Sequence, residues 1–438
     1  MNNKDISTVV HAIKSGEMTC LEVVTYYLNR IKVFDALKAV IELNPDVLEI
    51  AQKLDSNPIK EGCLFGVPIL IKDNLNTMDK MATSAGSLAL SNNFSNVDSE
   101  VVRLLREEGA IILGKTNMSE FAGHTTDGMM PDGYSSRGGQ TLNFWDAVLY
   151  PGGSSTGSAV AVAADLCLAA IGTETFGSII SPSQASGIIG FKPTLGLIDK
   201  AGLLPLSLTL DTIGPMVRTI ADAQVLLSVL TGRNKQPNEV KFKRVCVGVL
   251  DNENMEYKSE LKRLIESLTK INVHIKELPR PEIQIGKSCY HLISHEFKFG
   301  INHYLQSMNN PDIPQSLREI IELNQSNEAD FIPYGQDNLI DYELNTSGQM
   351  NEPIYQQARL VREKAISDFN NYFNEQEIDL ILDVPAHHQL AAWTGFPSLT
   401  LPLGKREDGS RFGLILIGKK FNEALLLNFA SELEQILY

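Results

Sequence analysis

Between residues 114 and 200 the chain combines short apolar segments with a dense set of Gly, Ser and Thr residues. The densest groups are Gly152-Gly153-Ser154-Ser155-Thr156-Gly157, Gly172-Thr173-Glu174-Thr175 and Gly177-Ser178. Glycine lets the backbone approach a small group closely, and functional loops are held by a rigid scaffold. This region predicts a tight cluster of loops between buried elements. A glycine-rich turn region without chemistry is the alternative interpretation.

Strands and helices are expected to alternate around this region. The segment Val67 to Lys72 is short, apolar and β-branched, which is typical of a buried strand. A helix is predicted at 98–108 and a strand at 110–113. Further elements are predicted as helices within 5–55, with Thr19 as a cap, a helix at 219–231, strands at 244–250, 380–382, 399–403 and 413–417, and a closing helix at 423–437. The order predicts an α/β fold.

We expect one large domain over residues 1–438. Its expected parts are N-terminal helices at 1–60, a catalytic core at 61–234, a variable helical cap or insertion at 235–350, and the C-terminal part of the core at 351–438.

Composition excludes several classes of protein. The net charge of −15 disfavours contact with phosphate backbones, so nucleic acid is not an expected partner. The longest apolar run, 159–171, is interrupted by Asp165 and too short to cross a bilayer. Five widely spaced cysteines without a CxxC pair fit a reducing compartment, and the first residues lack a signal-peptide pattern. We therefore predict a cytoplasmic protein.

The loop at 152–158 fits two common motifs only in part. As a phosphate-binding loop it lacks the required lysine, because Ser158 stands at that position. As a nucleophile elbow, Ser155 would be the nucleophile, with His387 or His388 as its base. However, Pro151 and Gly152 precede the loop where the elbow needs a strand. The elbow remains an alternative.

A third interpretation uses Lys72 as the base for a serine. A serine hydroxyl is a weak nucleophile until a base takes its proton, and a lysine can do so if burial keeps it neutral. Lys72 ends an apolar strand. A lone lysine at a strand end more often reaches water, so this role depends on the surrounding motifs.

Those motifs resemble the amidase signature family, in its peptide-amidase-like branch. They occur in the order 66–74, 113–121, 152–158, 172–179, 190–194, 211–216, 394–397 and 412–414. The resemblance covers most of the chain and is weak only at 235–350. It implies a large mixed β-sheet flanked by helices on both faces, and no metal or organic cofactor.

The resemblance also implies a Ser–Ser–Lys triad. By motif position Ser178 is similar to the nucleophile, Ser154 to a bridging serine that follows a cis peptide bond, and Lys72 to the base. The oxyanion hole would comprise the backbone N–H groups of Thr175, Phe176, Gly177 and Ser178. Thr173 and Ser155 are expected to support the site.

Phe176 departs from the family pattern, which usually has Gly or Asp at this position. If the loop needs a positive φ there, a phenylalanine is penalised, and its ring is expected to line or occlude the substrate pocket. Ile180 replaces a common Arg, which makes a carboxylate-bearing substrate less expected at that spot.

The predicted function is hydrolysis of a linear carboxamide to a carboxylate plus ammonia or an amine, through an acyl-enzyme. The substrate would be a small-molecule or peptide amide, without nucleic acid or membrane, and the protein a monomer or homodimer. The alternatives are a protein similar to the A subunit of glutamyl-tRNA amidotransferase and a non-catalytic scaffold on the amidase fold.

Overall fold

The computed structural model describes residues 4–232, 245–251, 258–270, 273–383 and 389–437. Its strands are β1 (Val40–Leu43), β2 (Pro68–Lys72), β3 (Ile111–Thr116), β4 (Tyr134–Ser135), β5 (Gly139–Gln140), β6 (Ala169–Glu174), β7 (Ile189–Lys192), β8 (Thr212–Val217), β9 (Cys246–Leu250), β10 (His274–Leu278), β11 (Leu380–Asp383), β12 (Ser398–Lys405) and β13 (Arg411–Gly418).

The helices surround this set of strands. They are α1 (Ile6–Ser15), α2 (Cys20–Val33), α3 (Val47–Ser56), α4 (Glu100–Glu107), α5 (Thr156–Ala163), α6 (Ile180–Ser186), α7 (Ile220–Leu230), α8 (Lys258–Lys270), α9 (Gly286–Ser307), α10 (Leu317–Gln325), α11 (Glu328–Phe331), α12 (Asp337–Asn345), α13 (Pro353–Glu375), α14 (Gln389–Thr394) and α15 (Glu423–Leu437).

Eleven strands form one mixed sheet in the order β1-β3-β2-β6-β8-β7-β12-β13-β11-β9-β10, while β4 and β5 form a separate small pair. The strand β2 runs parallel to both β3 and β6, and β9 runs parallel to β10 and β11. The other pairs in the sheet are antiparallel. The predicted large mixed α/β sheet is confirmed.

Local sequence accounts for most of these elements. All residues of β2 are buried, as its apolar run predicts. The helix α2 begins with the expected cap at Thr19, whose side chain accepts a hydrogen bond from the N–H of Glu22 while the Glu22 carboxylate accepts from the N–H of Thr19. The predicted strands and helices toward the C-terminus are found within a few residues of their expected bounds.

The edge strand β1 differs from the prediction, because residues 5–55 were expected to form helices. It pairs antiparallel with β3, joining Val40 to Thr116. Its four residues are exposed or half-buried, so they carry no alternating pattern. The pairing with β3, about seventy residues along the chain, defines this strand, and local periodicity does not contain that information.

The range 235–350, expected as a helical cap, contains helices α8 to α12 and also two strands of the main sheet, β9 and β10. Helices α9, α10, α12 and α13 supply much of what we call the second hydrophobic cluster, which includes Met118, Leu206, Phe297, Tyr342 and Trp393. This cluster lies apart from the larger core around the sheet. No helix in the described ranges is both long enough and apolar enough to cross a membrane.

Candidate active site

A buried lysine contacts two consecutive serines at the centre of the Gly/Ser loops. The Nζ atom of Lys72 lies 3.0 Å from Oγ of Ser154 and 2.9 Å from Oγ of Ser155. It also lies 3.2 Å from the carbonyl oxygen of Thr173. Lys72 has no exposed surface, and Ser154 is 2% exposed. The amine therefore points into the protein, away from solvent.

Sheet topology brings these residues together. Strands β2 and β6 are parallel neighbours, with Ile71 opposite Ile171, so their carboxyl ends meet at one edge of the sheet. Lys72 is the last residue of β2, and Thr173 lies one residue before the end of β6. Residues 152–155, which we call the serine loop, precede α5, and α5 packs against both strands. Three segments distant in sequence thus converge on one point.

Burial changes the acid–base behaviour of Lys72. Desolvation of the ammonium form lowers the pKa of Lys72 from 10.5 to about 7, although Asp211, Glu174 and Asp132 act in the opposite direction. At a pH near 7, Lys72 is then uncharged in about half of the protein molecules. A neutral amine can accept a proton, which an ordinary surface lysine cannot do at this pH.

The position directly before Ser154, residue 153, requires glycine. The peptide bond between Gly153 and Ser154 is cis. A Cβ atom added to Gly153 would stand 2.2 Å from Oδ1 of Asp132 and 2.7 Å from Oγ of Ser119. The Ser119 hydroxyl donates to that same Asp132 oxygen, and the Ser119 N–H donates to the carbonyl of Ser154. Asp132 and Ser119 therefore pack directly against the loop that carries Ser154.

Ser178 lies beside the serine loop, where its carbonyl accepts a hydrogen bond from the N–H of Ser155 at 3.1 Å. The residue is 9% exposed. Within the described ranges, the Ser178 hydroxyl has no hydrogen-bond partner. Catalytic hydrogen bonds are often long in enzymes without substrate, so this geometry is compatible with a nucleophile.

Four consecutive backbone N–H groups, at residues 175–178, have no acceptor among the residues that the structure describes. In the described part of the chain, those of Thr175, Phe176, Gly177 and Ser178 donate no hydrogen bond. The next two N–H groups along the chain differ, because both donate to Oε2 of Glu174, at 2.8 and 3.0 Å. The Glu174 carboxylate thus fixes the turn into α6, and the four unpaired donors are left for another acceptor.

Phe176 sits in this loop without backbone strain. It is absent from the residues with positive φ, whereas Gly177 has a φ of +103°. The position that needs glycine is therefore 177, and the penalty considered for Phe176 does not arise. The Phe176 ring is half-buried and packs against the second hydrophobic cluster.

Thr173 supports the site mainly through its backbone. Its carbonyl accepts from Oγ of Ser155 at 2.9 Å, and its N–H donates to the same oxygen at 3.2 Å. The Thr173 hydroxyl accepts from the side-chain amide of Asn74 at 3.0 Å. Ser155 is thereby tied to both β2 and β6 and is fully buried.

This placement disfavours the nucleophile elbow. Residues 148–153 do not form a strand, and the Ser155 hydroxyl faces Lys72 and Thr173 instead of an open cleft. The two histidines considered as its base, His387 and His388, lie outside the described residues.

A chain of hydrogen bonds joins the Thr175 loop to the cap helices. The Thr175 hydroxyl donates to Oδ1 of Asp211 at 2.6 Å. The other Asp211 oxygen accepts from the N–H groups of Leu206 and Ser207 at 2.8 and 3.0 Å. The Ser207 hydroxyl then bonds to the carboxylate of Glu296 on α9.

Glu296 holds this segment at several points. It is fully buried and also accepts from the N–H and hydroxyl of Thr209 and from the hydroxyl of Tyr355 on α13, the last at 3.0 Å. Glu296 was not predicted from the sequence because its surroundings carry no motif. Asn74, Glu174 and Asp211 lie inside the motifs that carried the resemblance, so a signal for them existed.

Comparison with known proteins gives this arrangement its context. A family model described as Amidase matches residues 22–392. The chain belongs to the amidase family. The predicted family resemblance is thus confirmed, and the matched range spans all three segments that meet at Lys72.

Individual members of the amidase family align over nearly the whole chain. A putative amidase from Schizosaccharomyces pombe is 31% identical, covering 100% of this chain and 86% of the relative. The A subunit of glutamyl-tRNA(Gln) amidotransferase from Thermoanaerobacter pseudethanolicus is 30% identical, covering 97% and 94%. The native peptide amidase from Stenotrophomonas maltophilia superposes with a TM-score of 0.90 at 32% identity, covering 100% and 97%. The amidase family relationship makes the chain an enzyme that acts on amides.

Proposed function

We propose that the protein is a serine amidohydrolase that cleaves a linear carboxamide through an acyl-enzyme on Ser178, with Ser154 as relay and Lys72 as base. The observation that carries the proposal is the buried Lys72 amine, 3.0 Å from the Ser154 hydroxyl oxygen. Its lowered pKa, about 7, makes the neutral amine available near physiological pH.

The reaction proceeds in two halves. Neutral Lys72 takes the proton of Ser154 while Ser154 takes the proton of Ser178, and the Ser178 oxygen attacks the carbonyl carbon. The relay requires the Ser178 side chain to approach Ser154 when substrate binds. The proton then returns through Ser154 to the leaving nitrogen, which departs as ammonia or an amine. Water, activated by the same relay, hydrolyses the ester on Ser178 and releases the carboxylate.

The unpaired N–H groups of residues 175–178 supply the second element of the mechanism. Charge develops on the carbonyl oxygen during attack, and N–H groups already oriented toward that point stabilise it by about 3 kcal/mol per donor. The N–H groups of residues 175–178, which find no acceptor among the described residues, support an oxyanion hole at this loop. Glu174 and Asp211 would keep the loop in place through their contacts on either side of it.

Covalent labelling tests the nucleophile directly. The purified protein is incubated with a fluorophosphonate, digested, and the modified serine located by mass spectrometry. We expect modification at Ser178, and none anywhere in a Ser178→Ala variant. The matched control is Ser183→Ala on α6, because the Ser183 hydroxyl is buried and has no partner in the described ranges, so labelling should persist. Modification of Ser155 would overturn the assignment in favour of the elbow.

A second candidate function, as part of an amidotransferase, is supported by the 30% identity to the A subunit of the glutamyl-tRNA(Gln) enzyme. Such relatives are expected to carry Ser-Ser-Gly-Gly and Thr-Gly-Gly-Ser in the two serine loops, whereas this chain has Ser155-Thr156-Gly157 and Phe176-Gly177-Ser178. Affinity purification distinguishes the two: recovery of two stoichiometric partner proteins favours the amidotransferase.

For the amidohydrolase, we propose that the protein is a cytoplasmic monomer or homodimer and that its substrate is a small-molecule or peptide amide.

A further inference from the structure

A cavity of about 460 Å³ lies on the side of α6, away from the residues assigned so far. Three segments line it: 148–150, the face of α6 that carries Ser181 and Gln184, and the hairpin between β12 and β13 with Arg406 and Arg411. Cavities of this size accommodate a small organic molecule. None of the residues in the proposed triad lines it.

Arg411 is the unusual residue of this cavity. Its guanidinium carbon lies 3.7 Å from the centre of the Trp145 ring, and the side chain is half-buried. In the described part of the chain it makes no ion pair and donates no hydrogen bond. All other arginines there that are buried or half-buried donate at least one: Arg30, Arg106, Arg137, Arg218, Arg280, Arg362 and Arg406.

Stacking holds this guanidinium in a defined position. The Trp145 indole is itself fixed, because its Nε1 donates to the carbonyl of Ser186 at 2.8 Å. A guanidinium stacked on an aromatic face keeps its N–H edge free for a planar acceptor, and a carboxylate matches that edge with two parallel hydrogen bonds. The unpaired charge of Arg411 is thus preorganised for an anion.

The rest of the lining is mixed. Val148 and Tyr150 are exposed apolar or aromatic side chains at the rim, 88% and 62% exposed, and Phe412 is buried beneath. The one carboxylate in the lining, Asp408, is exposed at the hairpin turn, where its Oδ1 accepts from the N–H and hydroxyl of Ser410. Arg406 adds a second positive charge. The ligand best matched to this lining has one carboxylate and one apolar group.

We propose that this cavity is a second binding site, which takes a small carboxylate with an apolar group through Arg411. The cavity lies next to the segments that carry the proposed catalytic serines. Ser181 belongs to the first turn of α6, three residues after Ser178, and its N–H donates to the carbonyl of Gly177. The Tyr150 hydroxyl donates to Asp132, which packs against Gly153. A ligand in the cavity would therefore contact Ser181 and Tyr150, which are linked to the two serine loops through Gly177 and Asp132.

Calorimetric titration with 4-phenylbutyrate tests the site, with 4-phenylbutan-1-ol as the uncharged counterpart. We expect one equivalent of the acid to bind the full-length protein, and the alcohol to bind at least about tenfold more weakly, because a charge-assisted bidentate contact contributes this much. Arg411→Gln should weaken binding of the acid by a similar factor. Arg411→Lys, which keeps the charge without the fork, should fall between the two.

Arg318→Gln is the matched control, because Arg318 is an exposed arginine paired with Glu343 on the cap. It should leave binding of the acid unchanged, and thermal unfolding should verify that each variant is folded. Equal affinity for acid and alcohol, undiminished binding by a folded Arg411→Gln protein, or no heat of binding up to millimolar concentrations would each overturn the proposal. The test does not depend on the catalytic role of Ser178.

Discussion

Lys72 and Ser154 meet at 3.0 Å in a place that water does not reach, since the first has no exposed surface and the second is 2% exposed. The contact joins the end of a sheet strand to a loop eighty-two residues further along the chain. Desolvation keeps the amine close to neutrality and the distance lets a proton pass between the two atoms. Both properties are needed for a lysine to act as base.

The rate of amide hydrolysis should depend on the protonation of Lys72. In the proposed mechanism the neutral amine is the active form. Because its pKa is about 7, kcat/KM should be level above that pH and fall about tenfold per pH unit below it. The measurement is a pH–rate profile between pH 5 and 9, with circular dichroism at each pH to verify folding. An acid limb without slope contradicts the role of Lys72.

Protonation of Lys72 should also change the free energy of unfolding. The folded protein holds Lys72 with a pKa lowered from 10.5, so between about pH 7 and 10.5 the unfolded chain binds more protons than the folded one. The free energy of unfolding from this group therefore rises with pH across that window and is lost as pH falls toward 7. Lys72→Met should show a shallower rise in urea titrations over the same range. Identical slopes would contradict the lowered pKa.

The two adjacent serines should respond differently to alanine. Ser154→Ala removes the proposed relay and should reduce kcat by roughly 10²- to 10⁴-fold. Ser155→Ala leaves that relay in place but strips partners from Lys72 and from both backbone groups of Thr173, so it should cost about 1–3 kcal/mol of stability with a smaller loss of kcat. The measurements are kcat and the free energy of unfolding in urea for both variants. A larger kcat effect at Ser155 would reverse the assignment.

Phe176 should influence which amides are accepted. Its half-buried ring joins the loop of residues 175–178 to the second hydrophobic cluster, so Phe176→Gly opens space beside that loop. We expect a shift in relative kcat/KM toward bulkier amides, together with destabilisation of roughly 1–3 kcal/mol. Phe176→Leu, which keeps an apolar side chain, is the matched control and should retain more of the native preference. The same ranking of substrates in all three proteins would place the ring outside the pocket.

Glu296 should act on catalysis through Thr175. The path runs from the Glu296 carboxylate through Ser207 and Asp211 to the Thr175 hydroxyl. In a double-mutant cycle, Glu296→Gln and Thr175→Val should be non-additive in kcat by about 0.5 kcal/mol or more. Glu343→Gln is the control, since Glu343 pairs with Lys298 and Arg318 on the cap and should combine additively with Thr175→Val. Additivity of the first pair rules out the path.

Much of the fold was accessible from local pattern. The apolar run at 68–72 predicts a buried strand ending at Lys72, and Thr19 followed by Glu22 predicts where α2 begins. The motifs also predict which loops carry the proposed catalytic residues. Residues whose partners lie nearby in the chain, or whose periodicity reflects one buried face, could be interpreted in this way because those forces act along the chain.

The main strands, the helix starts, the family and the residues of the candidate site could all be predicted from the order of the amino acids. The folded chain was needed to show that β1 joins the sheet, that Gly177 and not Phe176 takes positive φ, and that Glu296 braces the Thr175 loop. It also gave Arg411 an indole to stack on and, in the described ranges, no acceptor. These outcomes depend on sheet register and on packing between segments tens to hundreds of residues apart, and no local propensity specifies such contacts.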